Sequence, residues 1–331
     1  MRRTIGMAAV KRSKHGTFSH YYVPYGSFPV IFAGENKATI NFNPLPVNRN
    51  PIPSTLFMIF FAFCLFFSHA VLFAQTDSVV VIFGDTRTKI SGNTHTNNTI
   101  NKSVINKLMQ FKPLAVFHTG DIVFNGLKKS AWIRFEEFCS PIINGSKFYP
   151  AYGNHELHSK TVSRDFKLPN NGKWYSVDVM NIHFVIIDNF SDYKTGSEQY
   201  RWIENDLKNC NKDKFIAVVM HLPVYSSGPH NTQAKKLRKY LVPLFEKYGA
   251  DIVFNAHNHC YERAYSQGIY YITTAGGGAP MYPKTKNIPE SQLFSNTYHF
   301  CTLRNIGSAL RLEALDTNLK TIDKFEIKHT D

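Results

Sequence analysis

The sequence predicts a layered α/β domain with antiparallel pieces mixed in. Three observations carry that expectation. Short apolar runs of strand length recur from residue 79 onward. Stretches with helical spacing alternate with them, which argues for helices laid against a sheet. Five of the apolar runs end in side chains that can ligate a metal, and α/β sheets commonly build sites at the carboxyl ends of their strands.

The elements follow in chain order. Residues 79–83, Val-Val-Val-Ile-Phe, read as a buried strand ending in Gly84-Asp85-Thr86-Arg87. Residues 101–111 have helical spacing at Val104, Ile105, Leu108 and Met109. Residues 114–117 are a second strand, ending in His118-Thr119-Gly120-Asp121. Residues 130–139 read as a helix, and 148–152 lead into Gly153-Asn154-His155-Glu156. Residues 174–179 and 183–188 look like a strand pair turned at Met180-Asn181-Ile182. A helix over 198–207 precedes a strand over 215–220, which delivers His221. One amphipathic helix is expected over 234–248, with Leu237, Leu241, Leu244 and Phe245 on its apolar face. A strand over 251–254 then leads to Asn255-Ala256-His257-Asn258-His259. A strand over 269–274 ends in Ala275-Gly276-Gly277-Gly278, and 299–327 alternate like closing antiparallel strands.

The first 75 residues differ in kind. Residues 1–54 scatter Pro, Asn and Gly without a lasting period and read as a disordered or non-native N-terminal extension. Residues 55–74 are an almost unbroken apolar run, and about 20 such residues suffice to cross a bilayer. Ala74-Gln75-Thr76-Asp77 resembles a signal-peptidase site. Residues 55–75 therefore read as a signal peptide of a secreted or periplasmic protein. The alternative is a retained membrane anchor, with the basic segment inside. The catalytic domain is expected over 76–331.

The net charge of +14 raises nucleic acid as a partner. Six of those charges lie in residues 1–57, and the rest form no stripe interleaved with aromatics. No nucleic-acid partner is expected; the basic surface suits an anionic substrate. Five cysteines without Cys-x-x-Cys spacing argue against a zinc knuckle. Unpaired buried thiols are the preferred reading, with no pairing chosen among Cys139, Cys210, Cys260 and Cys301.

Asp85, Asp121, Asn154, His221 and the pair His257/His259 close the five runs. Each alone has an ordinary explanation as a turn, a cap or a solvated loop. Together they make a mixed oxygen and nitrogen donor set, which suits zinc, iron or manganese. The blocks resemble the calcineurin-like metallophosphoesterase superfamily: Asp, Gly-Asp, Gly-Asn-His-Glu, His and His-x-His. The run His257-Asn258-His259-Cys260-Tyr261-Glu262-Arg263 resembles its purple acid phosphatase-like branch. So do Gln199-Tyr200-Arg201-Trp202-Ile203 and His221-Leu222-Pro223-Val224-Tyr225-Ser226-Ser227.

The resemblance implies a four-layer α-β-β-α sandwich of two mixed β-sheets with flanking helices. It implies a binuclear centre of two metal ions (Fe, Mn or Zn), with Asp121 bridging. Asp85 and His259 would serve the first metal; Asn154, His221 and His257 the second. A metal-bound hydroxide would attack phosphorus in line. The substrate would be a phosphate ester, and the enzyme a phosphomonoesterase. A phosphodiesterase with the same donors, or a catalytically weak metal-binding protein, are the alternatives. His155 matches a histidine near the scissile oxygen, and His230 one that contacts phosphate. Three positions depart from the pattern: Arg87, Phe124 and Ala256. Arg87 cannot ligate a cation but can pair with phosphate. The first metal therefore has fewer protein donors than the second.

Overall fold

The computed structural model describes residues 78–87, 94–157 and 166–329, with side chains from Thr99 onward in the first helix. The expectations for residues 1–54 and 55–75, and Cys64, lie outside the described residues. Among the described residues the elements run β1 (Val79–Phe83), α1 (Thr94–Leu108), β2 (Ala115–His118), α2 (Lys129–Gly145), β3 (Lys147–Pro150), β4 (Tyr175–Val179), β5 (Ile182–Ile186) and α3 (Glu198–Asn209). They continue with β6 (Phe215–Val219), α4 (Ala234–Tyr240), α5 (Val242–Tyr248), β7 (Ile252–Asn255), β8 (Tyr261–Ser266), β9 (Ile269–Thr274), β10 (Ser291–Ser295), β11 (His299–Asn305), β12 (Ala309–Asp316) and β13 (Thr321–Lys328).

Two sheets result. One has the order β13-β12-β11-β1-β2-β3, the other β10-β8-β9-β7-β6-β5-β4. Both are mixed. In the first, β1, β2 and β3 are parallel and β11 to β13 pair antiparallel. In the second, β5, β6, β7 and β9 are parallel, flanked by antiparallel β4, β8 and β10.

The alternation of side chains along a strand explains the layering. In β1, Val80 and Ile82 enter the core between the sheets, while Val81 and Phe83 pack with Val104, Ile105 and Phe135 of α1 and α2. In β6, Phe215, Ala217 and Val219 face the same central core. Ile216 and Val218 instead meet Ile203, Leu237 and Phe245 of α3, α4 and α5. Each central strand is thus buried on both faces, which is why these runs read as continuous hydrophobes. Phe117 stacks on Phe184 across the two sheets, with ring centroids 3.8 Å apart. The expected α-β-β-α sandwich is the observed architecture.

Several boundaries differ from expectation. The helix over 234–248 is two helices, broken at Leu241, with Pro243 in the first turn of α5. Proline has no N–H to continue the upstream ladder and is accommodated in a first turn instead. Leu237, Leu241, Leu244 and Phe245 are nevertheless all buried. The helix over 130–139 runs on to Gly145 and contains Pro141. The helix of 101–111 begins earlier, at Thr94, and tightens to a 3-10 turn over Met109–Phe111. Strands β8 and β10 were not anticipated; Glu262, Arg263, Ser291 and Gln292 interrupt the apolar signal. Cys139, Cys260 and Cys301 are buried and free, as expected, but Cys210, also free, is only half-buried.

Away from the strand-end loops, His183 on β5 lies 2.7 Å from Asp178 and 2.9 Å from Asp206. Burial works to lower the His183 pKa, but hydrogen bonds to Asp206 and Asp178 raise it above its ordinary 6.5. The stability from this arrangement is therefore full below about pH 6.5 and is lost as pH rises through the raised value. The destabilisation caused by His183→Asn, measured by urea unfolding, is expected to be larger at pH 6 than at pH 9. An equal loss at both pH values would remove the linkage.

Candidate metal centre

Three of the prospective ligands hold backbone conformations that side chains rarely adopt. The φ angles are +56° at Asp85, +54° at Asp121 and +68° at His257. Such residues cost energy and persist only where neighbours enforce them; they cluster at functional sites. Here the neighbours are specific. Asp85 N–H donates to Gly120 O at 3.0 Å, and Arg87 N–H donates to Asp121 O at 3.0 Å. These bonds continue the β1–β2 pairing past the strand ends and hold Asp85 and Asp121 side by side. Gly153 approaches so closely that a Cβ on it would lie 2.1 Å from Asp121 N and 2.2 Å from Asp121 Oδ1.

Glu156 ties the second and third loops together. Its buried carboxylate accepts from the N–H groups of Asp121, Val123 and Gly153 at 2.9–3.0 Å. Burial and the charge of Asp121 push its pKa up to about 8, against the pull of those three donors. His118 braces the first and second loops. Its Nδ1 accepts from Gly120 N–H at 3.1 Å, so its Nε2–H faces Thr86 Oγ1 at 3.1 Å. The Thr86 hydroxyl in turn donates to Ile122 O at 2.8 Å. Burial holds the His118 pKa down at about 3, so the ring is neutral and keeps this donor-acceptor order.

The strand-end side chains then converge. His221 Nε2 lies 3.1 Å from Asn154 Oδ1, 3.2 Å from His257 Nδ1 and 3.4 Å from Asp121 Oδ1. Asp85, Asp121 and His259 form a second group around the same Asp121, with His259 Nε2 3.1 Å from Asp85 Oδ1. All six sequence-predicted ligands therefore meet in two clusters that share one carboxylate.

The tautomers decide what these clusters want. His221 Nδ1 lies 2.9 Å from Thr119 O, so in the neutral ring Nδ1 carries the proton and Nε2 presents a lone pair. His259 Nδ1 is 2.6 Å from Pro280 O, with the same consequence. Burial, reinforced by His221, pushes His257 down to about 3, so this ring is also neutral. Burial works to raise the Asp85 pKa, but the charges around it, with His259 and His221 when protonated and Arg87 always, hold it well below the usual carboxylate range. Lone pairs of His221, Asn154 and Asp121 consequently face one another within a few ångströms, with the neutral His257 ring 3.2 Å from His221 Nε2. Acceptors crowded together in a site of low exposure are costly. A divalent cation satisfies all four at once, and the mixed imidazole, amide and carboxylate set fits manganese, iron or zinc. Asp85 Oδ1 adds a buried oxygen without a hydrogen-bond partner.

The remaining expected residues are present too. His155 donates its backbone N–H to Asp121 Oδ1 at 3.1 Å. Its Nδ1 lies 2.6 Å from Phe124 O, which turns Nε2 inward to 3.7 Å from Asp121 Oδ2. His230 has its ring 5.3 Å from that of His257. Burial, then His259 and Arg87, lower its pKa. Arg87 does not point into open space where a phosphate would be awaited. Its Nε is 3.3 Å from Asp121 Oδ2 and its Nη2 3.3 Å from His259 Nε2.

Sequence reasoning missed Tyr282 and Asn189 and assigned no role to Asn258, Tyr261, Glu262 or Arg263. Tyr282 stacks on His259 with centroids 4.1 Å apart, and its hydroxyl accepts from Arg87 Nη2 at 3.2 Å. It comes from a stretch with no strand or helix period, so nothing in the sequence marked it. Asn258 takes His230 N–H on its Oδ1 and returns Nδ2–H to His230 O, both at 2.8 Å. Asn189 accepts from the N–H groups of His221 and Leu222. Glu262 accepts from Ser227 N–H and from the Ser226 and Ser291 hydroxyls. Tyr261 and Arg263 both donate to Asp323 at 2.7 Å. The run after His259 is thus a brace that sets the His230 loop and locks the strand below it.

The sequence model of the calcineurin-like phosphoesterase family matches residues 78–261. Purple acid phosphatase 18 of Arabidopsis thaliana is 27% identical over 179 residues, 49% of this chain and 41% of that protein. Acid phosphatase type 7 of Mus musculus is 32% identical over 185 residues, 48% of this chain and 42% of that protein. The chain thus matches well under half the length of these relatives. Among solved structures, purple acid phosphatase PPD1 of yellow lupin superposes with a TM-score of 0.66 at 24% identity, covering 76% of this chain and 53% of that one. A dimetal phosphatase from Danio rerio gives 0.57 at 12% identity, covering 77% and 100%. At these identities the structural likeness establishes the fold.

Proposed function

The chain belongs to the calcineurin-like phosphoesterase family, and from that premise we propose that it hydrolyses phosphate monoesters with the help of divalent metal held around Asp121. The observation that carries this reading is the convergence of His257 Nδ1, Asn154 Oδ1 and Asp121 Oδ1 on His221 Nε2, at 3.1–3.4 Å. The names of the relatives, acid phosphatases among them, support the monoester class. A monoester is dianionic, and the Arg87 guanidinium beside the cation cluster supplies positive charge to match it.

When bound, the metal supplies Lewis acidity towards a phosphoryl oxygen and acidifies a water molecule, the source of an in-line nucleophile. The chain's own groups do the rest. Asp121, Asn154, His221 and His257 would hold the ion. Arg87, the one permanently charged side chain of the cluster, draws in the phosphoryl group. His155 is fixed by its Nδ1 contact to Phe124 O, so its Nε2 faces the reaction space at the Asp121 side. With a proton on Nε2 it can donate to the leaving oxygen. His230 lies across the same opening, between His257 and Tyr282, where a hydrogen bond to substrate phosphate is open to it.

Export is part of the proposal. Residues 55–75 act as a signal peptide, residues 1–54 lie upstream of it, and the catalytic domain occupies 76–331. Among the described residues no helix is long and apolar enough to cross a membrane.

Turnover of an aryl phosphate by chelator-stripped protein is expected to appear on adding Mn²⁺ or Zn²⁺. Absence of turnover with either ion, in folded metal-bound protein, leaves a binding protein instead. His155→Ala is expected to lower kcat by about 10²–10⁴-fold, the usual worth of a general acid, with metal content unchanged. Loss of metal in that variant would make His155 a ligand rather than an acid. Mass spectrometry of the native protein is expected to find a chain that starts near Gln75; an intact segment over 55–74 retained in membranes would favour the anchor.

A further inference from the structure

Arg87 lies on donors that a second metal ion would need. Three groups could form the site on the Asp85 side of Asp121: Asp85, Asp121 and His259. Two of them already face a guanidinium. Nε of Arg87 is 3.3 Å from Asp121 Oδ2, and Nη2 is 3.3 Å from His259 Nε2. The side chain is anchored at both ends. Arg87 N–H donates to Asp121 O at 3.0 Å, and Nη2 donates to Tyr282 OH at 3.2 Å. Tyr282 is itself fixed, stacked on His259 and donating its N–H to His259 O at 2.9 Å. Only 16% of the Arg87 side chain is exposed, so it has little water to retreat into.

We propose that this chain binds a single divalent ion, at Asp121, Asn154, His221 and His257, and that the Arg87 guanidinium takes the place of the second. This inference rests on the metal-dependent reading above and specifies its stoichiometry. Charge balance points the same way. The two clusters contain two carboxylates, Asp85 and Asp121. One divalent ion and Arg87 bring three positive charges against those two negative ones; two divalent ions and Arg87 would bring five. Like charges a few ångströms apart in a buried site repel strongly, and Arg cannot shed its proton to relieve this. Arg87 leaves only the Asp85 carboxylate wholly outside its reach, and of its two oxygens Oδ2 already accepts His257 N–H while Oδ1 has no hydrogen-bond partner. One carboxylate is too little to retain a second divalent ion against that repulsion. The two halves of the centre therefore differ in kind: one is a metal site, the other a fixed organic cation.

The test uses the full chain, stripped by chelator and titrated with Mn²⁺ alone. Bound metal is counted by mass spectrometry of the equilibrated protein and by electron paramagnetic resonance. Wild type is expected to take up one Mn²⁺ per chain, with the spectrum of an isolated ion. Arg87→Gly is expected to take up two, with the broadened spectrum of a coupled pair. Two variants keep Arg87 and separate the halves. His259→Ala is expected to retain its one ion, whereas His257→Ala is expected to lose it. Two ions in wild type overturn the inference, as does Arg87→Gly remaining at one. If Arg87→Gly fails to fold, the other two variants decide: loss of metal in His259→Ala, or retention in His257→Ala, overturns it. No Mn²⁺ bound to wild type would sink the metal-dependent reading itself. One ion bound without phosphatase turnover would sink the proposed reaction and leave this inference standing.

Discussion

The buried carboxylate of Asp121 is the constraint on which the rest of the centre depends. It carries negative charge at almost complete burial, on a backbone with φ of +54°. Such a group is tolerated only when its surroundings repay its lost hydration. Every neighbouring loop is arranged to do so. Its own N–H is held by Glu156. Its Oδ1 accepts His155 N–H, and its Oδ2 faces the Arg87 guanidinium. His221 and the Asp85 loop close the remaining sides. The glycine at 153 is required because any side chain there would overlap Asp121 itself.

The fold makes this arrangement possible by bringing two sheets to one edge. Asp85, Asp121 and Asn154 follow the parallel strands β1, β2 and β3 of one sheet. His221 and His257 follow the adjacent parallel strands β6 and β7 of the other. The central core, with Phe117 stacked on Phe184, sets the distance between the sheets. Side chains leaving both at the same end can then converge on a common point. His259 enters from the same loop as His257, oriented by Pro280 O and Tyr282. The candidate donors are thus fixed by the cores and by backbone hydrogen bonds, and a cation bound there would add the last partner rather than assemble the site.

Much of this was legible in the sequence, for a physical reason. Strands buried on both faces read as apolar runs, and the polar residue that ends each run stands out against them. Hence Asp85, Asp121, Asn154, His221, His257 and His259 were all assigned to the site, and all six meet there. The alternation of such runs with helical periods gives a layered α/β domain, and the family resemblance implies the sandwich. What escaped was tertiary. Arg87 was visible as a departure, but its contact with Asp121 and His259 depends on loop geometry that no spacing reports. Tyr282 lies in an aperiodic stretch and acts only because that stretch folds back over His259. Asn258 sat between the two histidines and looked like a spacer, yet it pins the His230 loop. Pro243 divides the 234–248 helix through its missing N–H, which a continuous apolar period does not register.

The central claim is that the lone pairs around Asp121 form a cation site. Anomalous scattering from crystals of the full chain grown with Zn²⁺ tests it most directly. The account predicts a zinc peak about 2.0–2.1 Å from His221 Nε2 and His257 Nδ1, with Asn154 and Asp121 oxygens completing the shell. Zinc peaks confined to other parts of the molecule, with this cluster retaining its lone-pair contacts, would contradict it.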